Sequence, residues 1–329
     1  MRCQRLLLLH LWSDHVMNLI IQLLLMFLLL LFYMPQFVLV SNNENNYDAI
    51  AESFNFAAVG DWGDNRDTYI TAENIDFKNP EVVLGLGDYA YEEDADDIRL
   101  WWDRIEMVHD DEIFIGALGN HDSDEQGDDS DNQDEDVYLE LFQQNSNQRT
   151  WTYSLVYNGV LFIAINTEEE ATDEEQKERI IDMLKGHITD VNWKVVFFHK
   201  PILTSRTTHD VEEGFVEEYC QIFQENGVNL VLQAHNHNYQ RSTTLDCRDD
   251  EFVKSEDSNG FTIVTIGTGG RSLYDLRNQS PLIVRQYDDR FGFLNVDIVN
   301  NTQMKAQFID SKNSQIADSF IINKADTRT

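Results

Sequence analysis

Short apolar runs separated by polar stretches recur through most of the chain after residue 54. Asn55–Val59, Glu81–Leu86, Ile113–Leu118, Trp193–Phe198 and Asn229–Gln233 are each brief, rich in Val, Leu, Ile and Phe, and followed at once by a turn, which is the pattern of buried strands. Phe261–Ile266, Phe291–Val299 and Lys305–Ile309 read as further strands. Helices are predicted between them. Asp97–Val108 carries aromatic and aliphatic residues at helical spacing, Thr172 with Glu175 forms a capping box ahead of Arg179–Leu184, and Val211–Gln224 reads as a helix stopped near Gly227. Strands alternating with helices predict one large α/β unit, and no internal repeat divides it.

The amino-terminal pattern is different. From Leu19 to Met34 the chain is apolar apart from Gln22, and apolar character resumes after Pro35-Gln36 up to Val40, ahead of the polar Ser41–Asn46. A run shorter than about 18 residues favours a secretory signal over a permanent span. No small-x-small cleavage site precedes Ser41, so an uncleaved anchor stays open, and Met17 is an alternative start. Either reading predicts an exported protein, extracellular or at the cell surface.

Charge narrows the partners. With 24 Lys and Arg against 59 Asp and Glu, the formal net charge is −35. Such a surface repels nucleic acid and anionic membranes, so no nucleic-acid partner is expected, and membrane contact only through the amino-terminal anchor. The densest acidic stretch, Asp122–Asp136, reads as a flexible solvated insertion that would repel highly anionic substrates. It is not read as a calcium loop, because Asp128, Asp129 and Asp131 lack the full spacing. Of the cysteines, Cys3 would leave with a cleaved signal, while Cys220 and Cys247 either pair or stay free. Asn278 and Asn300 head glycosylation-type triplets, the first followed by Pro281.

The chemistry lies at the strand exits. The first five runs open into Gly60-Asp61-Trp62-Gly63, Gly87-Asp88-Tyr89-Ala90-Tyr91, Gly119-Asn120-His121-Asp122, His199-Lys200-Pro201 and Ala234-His235-Asn236-His237. Each exit alone is an ordinary turn, a packing tyrosine or a loop histidine. Together they supply a metal-ligand set, because ligand sites gather outside the carboxyl ends of strands in helix-covered sheets. Carboxylate and phenolate are hard donors suited to Fe(III), and imidazole with an amide oxygen suits a neighbouring divalent ion. Two close ions need a shared carboxylate, and Asp88 is the natural bridge.

These motifs resemble the calcineurin-like metallophosphoesterases and, through Tyr91, the purple acid phosphatases among them. Asp-Trp-Gly and Gly-Asn-His-Asp look most like the small tartrate-resistant type, whereas His237–Arg241 looks more like the larger plant type. The resemblance implies a four-layer αββα sandwich of two mixed β-sheets flanked by helices. It implies that Asp61, Tyr91 and His237 hold Fe(III), that Asn120, His199 and His235 hold a divalent Fe, Zn or Mn, and that Asp88 is shared. The implied reaction is phosphate-monoester hydrolysis in acid with metal-activated water as nucleophile. His121 and His209 are the candidates for protonating the leaving group or holding phosphate oxygens. A phosphodiesterase of the same superfamily, or a non-catalytic extracellular binding protein on this fold, are the alternatives. One departure is Ala234, where the family has glycine; positive φ there would weaken metal binding. Gly267–Gly270 is read as a tight turn framing the site rather than a phosphate cradle, since no Gly-Lys-Ser/Thr follows. The expected organisation is 1–40 signal or anchor, 41–53 polar linker, 54–310 metallophosphoesterase catalytic domain, and 311–329 a tail able to add a last strand.

Overall fold

The computed structural model describes residues 53–91, 95–123, 133–142, 151–168, 173–186, 191–205, 208–211, 214–256 and 260–324. The apolar amino-terminal segment, the linker before Ser53 and the Asp128–Asp131 carboxylates lie outside the described residues. Among the described residues no helix is long and apolar enough to cross a membrane.

The five motif-bearing runs become β1 (Phe54–Val59), β2 (Val82–Gly85), β3 (Ile113–Gly116), β6 (Trp193–Phe197) and β7 (Leu230–Gln233). Between β3 and β6 lie β4 (Tyr153–Tyr157) and β5 (Val160–Ala164). After β7 come β8 (Tyr239–Ser242), β9 (Leu245–Arg248), β10 (Glu251–Lys254), β11 (Thr262–Ile266) and β12 (Ile283–Tyr287). The chain closes with β13 (Gly292–Asn300), β14 (Gln303–Asp310) and β15 (Gln315–Asn323).

Two sheets form, in the orders β15-β14-β13-β1-β2-β3 and β12-β8-β11-β7-β6-β5-β4, with β9 and β10 a separate ribbon. Strands β1, β2 and β3 run parallel, as do β5, β6, β7 and β11, while β4, β8, β12 and β13–β15 pair antiparallel. Both sheets are therefore mixed. The central strands are buried on both faces and rich in β-branched residues, as parallel strands under helices must be.

Alternation along the second sheet separates two apolar layers. Phe162, Ala164, Val195, Phe197, Leu230 and Leu232 join the cluster that contains the first sheet, and Phe56 of β1 meets Phe162 of β5 edge-to-face with ring centroids 5.1 Å apart. The intervening Leu161, Ile163, Val196 and Val231 pack instead with Ile180 and Leu184 of helix α4 (Glu174–Gly186) and Phe215, Tyr219 and Phe223 of α5 (Phe215–Glu225). On the first sheet the cluster continues into α1 (Arg66–Lys78), α2 (Ala95–Arg104) and α3 (Gln133–Phe142). The result is a four-layer αββα sandwich.

Three helix boundaries differ from the sequence reading. The predicted Asp97–Val108 helix stops at Arg104, and Glu106–Val108 is a separate 3₁₀ turn. Helix α5 begins at Phe215, not Val211, behind Gly214 at φ 84°. Thr172 lies outside the described residues, and the amide of Gln176 is held by the Asp173 carboxylate at 2.6 Å, so Asp173 takes the capping position of α4. Helix α1 escaped the periodicity because two of its four buried residues, Thr68 and Thr71, are threonines beside Ala72 and Ile75.

Three cross-links tie the layers. The buried Lys194 ammonium on β6 donates to the carbonyls of Leu184 and Asn226, each at 2.8 Å, capping α4 and α5 at their carboxyl ends. Arg241 of β8 makes a forked pair with Asp318 of β15, at 2.6 and 3.1 Å, bridging the two sheets. Cys220 and Cys247 form a disulfide between α5 and β9, which closes the alternative left open by their spacing.

Candidate metal centre

The motif-bearing exits come from both sheets, three from the first and two from the second. The loops after β1 and β2 are zipped together: the amides of Asp61, Trp62 and Gly63 donate to the carbonyls of Gly87, Asp88 and Tyr89 at 3.0, 2.9 and 2.7 Å. Asp61, Asp88, Tyr91 and His235 all adopt left-handed backbones, with φ of 56°, 53°, 61° and 65°. Gly87 is obligatory here. At φ +87°, a Cβ would stand 2.7 Å from His199 Nδ1 and 2.9 Å from the Gly119 backbone.

Two triads result, Asp88 with His199 and the half-buried His235, and the fully buried Asp61 with Asp88 and His237; the ligand atoms within each lie within 4.8 Å of one another. Asp88 belongs to both. Asn120 Oδ1 approaches His199 Nε2 at 3.1 Å, adding an amide oxygen to the first triad. The Tyr91 hydroxyl lies 3.2 Å from Asp61 Oδ1 and 3.1 Å from His237 Nε2, adding a phenol to the second. All seven candidate ligands therefore converge.

Second partners orient the imidazoles. His199 Nδ1–H donates to the Leu86 carbonyl at 2.8 Å, and His237 Nδ1–H donates to the Ser272 carbonyl at 2.7 Å. Each bond fixes the ring orientation and turns Nε2 toward the carboxylates, so that a metal ion would take the place of the Nε2 proton. Burial opposes protonation of His199, yet Asp88 at 3.3 Å outweighs it and raises the imidazole to about 10. Burial likewise opposes the charge on Asp88, and His199 with the His121 amide overcomes it, holding the carboxylate well below its usual range. His235 is driven far down by burial and by His199 and His209. Burial, with Asp61 and Asp88 nearby, pushes the Tyr91 phenol well up. The two buried carboxylates, Asp61 and Asp88, supply the negative charge that a bound cation would neutralise.

Asp122 is the residue that the sequence reading misplaced. It was assigned to the solvated acidic insertion, but it is buried, 2 % exposed. Its Oδ2 accepts from the amides of Asp88 at 2.7 Å and Gly119 at 2.9 Å, and its Oδ1 from Tyr89 at 3.0 Å. It therefore locks the loop carrying Asp88 to the one carrying Asn120. Burial, then the Asp88 charge, raises it to about 7.

Ala234 carries ordinary backbone, since it is absent from the positive-φ positions. Its methyl occupies space left by Gly60, where an added Cβ would stand only 2.7 Å from it. The substitution is thus accommodated. The Gly267–Gly270 turn frames the site: a Cβ on Gly267 would reach within 2.5 Å of Asp61 Oδ2. The amides of Gly269, Gly270 and Arg271 are taken by the carbonyls of Gly60 and Asp61, so they are not free to cradle phosphate.

Four side chains surround the opening. His121 is exposed, with its ring 4.6 Å from that of Tyr91, and its amide donates to Asp88 Oδ1 at 2.9 Å. The His209 ring lies 4.0 Å from that of His235, and its imidazole is lowered by burial and by His237. Tyr274 stacks on His237 at 4.0 Å, and the Arg271 guanidinium lies 4.3 Å over Tyr91. Neither of the last two announced itself in the sequence.

Residues 54–239 match the family described as calcineurin-like phosphoesterase. The chain belongs to this family. Residues 260–319 of this metallophosphoesterase match the carboxy-terminal region described as iron/zinc purple acid phosphatase-like protein C. A curated relative, probable inactive purple acid phosphatase 27 of Arabidopsis thaliana, is 25% identical over 276 residues, covering 75% of this chain and 44% of the relative. The metallophosphoesterase thus spans less than half the length of that relative. Among solved structures, purple acid phosphatase PPD1 from yellow lupin seeds aligns with a TM-score of 0.71 and 22% identity over 84% of this chain and 55% of its own. GAP50, the anchor in the inner membrane complex of Plasmodium, aligns with a TM-score of 0.62 and 15% identity over 84% and 90%. These two likenesses concern the fold.

The donor set suits two ions. It offers a shared carboxylate, oriented imidazoles, and a phenol on one side against an amide on the other; Asp61, Asp88, His199 and His237 are buried, while Tyr91, Asn120 and His235 are half-buried toward the opening. The arrangement is that of a binuclear metal centre.

Proposed function

We propose that the chain is an exported acid phosphatase that hydrolyses phosphate monoesters. The observation that carries this reading is the pair of triads sharing the buried Asp88. In it Asp61, Tyr91 and His237 hold Fe(III), Asn120, His199 and His235 hold a divalent Fe, Zn or Mn ion, and Asp88 joins them. Held there, the ions would supply Lewis-acid chemistry, polarisation of phosphoryl oxygens and a lowered pKa for water.

The chain's own residues do the rest. The bonds to Leu86 and Ser272 keep the imidazoles aimed, and Asp122 fixes the Asp88 and Asn120 loops, so little reorganisation is needed on reaction. His121, with its ring 4.6 Å from that of Tyr91, and His209, with its ring 4.0 Å from that of His235, give a proton to the leaving alkoxide or hold phosphate oxygens in this reading. The Tyr91 hydroxyl points inward, which favours this reading over a phosphodiesterase with two divalent ions. The disulfide fits an oxidising compartment and so supports export.

A relative's description as probable inactive favours a second reading, a non-catalytic protein on the same fold. The full chain, loaded with iron and zinc, should be assayed on matched aryl phosphate monoester and diester from acid to neutral pH, with a chelated control. Chelator-sensitive monoesterase activity in acid, lost in Asp88→Asn, is expected. Diester preference would move the protein to the phosphodiesterases, and a folded, metal-loaded, inert sample would select the second reading.

A further inference from the structure

The chain carries 59 acidic residues against 24 basic ones, yet among the described residues three arginines, Arg66, Arg271 and Arg277, have no carboxylate partner, and of these Arg271 is the one set against a candidate ligand. Arg104, Arg241 and Arg290 each find a carboxylate partner. Among the described residues Arg271 has none, although it is exposed. Its backbone is anchored beside the centre, the amide donating to the Asp61 carbonyl at 3.0 Å. Its side chain then runs past Gly63, where a Cβ would lie 3.6 Å from Arg271 Cδ, and sets the guanidinium 4.3 Å above the Tyr91 ring. The hydroxyl of that same ring faces Asp61 and His237. An unpaired, aromatic-supported guanidinium is therefore held at the rim of the triads.

We propose that Arg271 is a specificity-determining residue: it binds the outward oxygen of the reacting phosphoryl group and so favours monoesters over diesters. This rests on the phosphatase reading above. A guanidinium presents a rigid fork of donors matched to phosphate, and stacking on a ring limits the rotamer freedom lost on binding. The phosphoryl group of a monoester has three unesterified oxygens, so one remains outward when two face the centre. A diester puts an organic group on one of them, and the fork then has no charged acceptor. In a chain of net charge −35, one free cation at the rim also offsets the repulsion an anionic substrate meets.

The test compares metal-loaded full-length protein with Arg271→Gln and Arg271→Lys. Inorganic phosphate affinity is read by calorimetry, and kcat/KM is measured on the matched monoester and diester, with metal content and Tm as controls. Arg271→Gln should weaken phosphate binding about ten- to hundredfold, lower the monoester-to-diester ratio similarly, and leave metal content and Tm unchanged. Arg271→Lys should recover part of both. Unchanged phosphate affinity, an equal fall on both esters, or loss of metal in Arg271→Gln would overturn the proposal; the last would make Arg271 a support for Tyr91. If the wild type turns over neither ester yet binds phosphate through Arg271, the phosphatase reading fails while the oxyanion contact stands. No phosphate binding by the wild type would overturn the contact as well.

Discussion

Removing the Asp122 carboxylate should damage the metal centre without touching a ligand. Its two oxygens satisfy three buried amides, those of Asp88, Tyr89 and Gly119. Asp122→Ala would strand all three, at about 1–3 kcal/mol each. Two effects reduce that sum. Water can enter the space left behind, and the repulsion between Asp122 and Asp88, one cause of the raised Asp122 pKa, disappears. A net loss on the order of 3–5 kcal/mol remains, a large share of an ordinary domain's stability. Asp122→Asn keeps the shape. Its oxygen can serve the Asp88 and Gly119 amides, but its NH₂ then confronts the Tyr89 N–H, so one bond is lost and about 1–3 kcal/mol with it.

Denaturant unfolding should rank the proteins as wild type, Asp122→Asn, Asp122→Ala. Metal affinity, read by competition with a chromophoric chelator, should fall in the same order, because the Asp88 and Asn120 loops lose their common clamp. The experiment separates positioning from mere stability: at a temperature where all three are folded, the affinity order must persist. Wild-type stability and metal uptake in Asp122→Ala would refute the reasoning.

Other perturbations probe independent features. Reducing the Cys220–Cys247 disulfide, or replacing both cysteines with serine, reopens a loop with a sequence separation of 27; unfolding free energy should fall by about 3–4 kcal/mol on the chain-entropy account. Gly267→Ala places a methyl within 2.5 Å of Asp61 Oδ2 and 2.3 Å of the Asn236 carbonyl, and metal titration should show at least a tenfold loss of affinity. Burial, with help from Lys194, lowers Lys324 from 10.5 to about 8. The unfolded chain thus holds this proton more tightly than the folded one, so stability should rise between pH 8 and 10.5, by on the order of 1–3 kcal/mol after allowance for solvent screening. Subtracting the melting profile of Lys324→Met from that of wild type isolates the effect, and parallel profiles would contradict it.

What the sequence disclosed was whatever is written in consecutive residues. The strands of the parallel cores are short all-apolar runs, and each exit motif follows its run directly, so the strands and the candidate ligands could be read, while the four layers came only from the family resemblance of those motifs. What it hid depends on long-range neighbours. Asp122 looked like the first member of an acidic run, and only its three amide partners, two of them more than thirty residues away, mark it as internal. Tyr274 and Arg271 sit in a polar stretch with no periodicity, and their meaning comes from the rings of His237 and Tyr91. The distribution of the exits over two sheets was equally invisible, because a parallel run does not name its partner strand. Ala234 is the opposite case: it looked like a defect until Gly60, opposite it, supplied the room.

The backbone itself explains why these exits are more than turns. A strand that must reverse through the left-handed region is best served by glycine, and asparagine, aspartate or histidine are tolerated there, whereas a tyrosine is a genuine outlier. Asp61, Asp88, Tyr91 and His235 occupy that region together, at a cost on the order of 1–2 kcal/mol each. The strain persists because the loops are over-determined: the Asp61, Trp62 and Gly63 amides are zipped to the neighbouring loop, and the His235 amide is held by Asp61 Oδ2 at 2.9 Å. Glycine at these positions would relax the backbone and keep the main-chain zipper, yet it would offer no donor atom and, at Asp61 and Asp88, would give up the bonds to the His235 and His121 amides. Side chains kept at strained backbone positions are there for what they hold, and the left-handed turn is what carries them from the strand exits toward a common point.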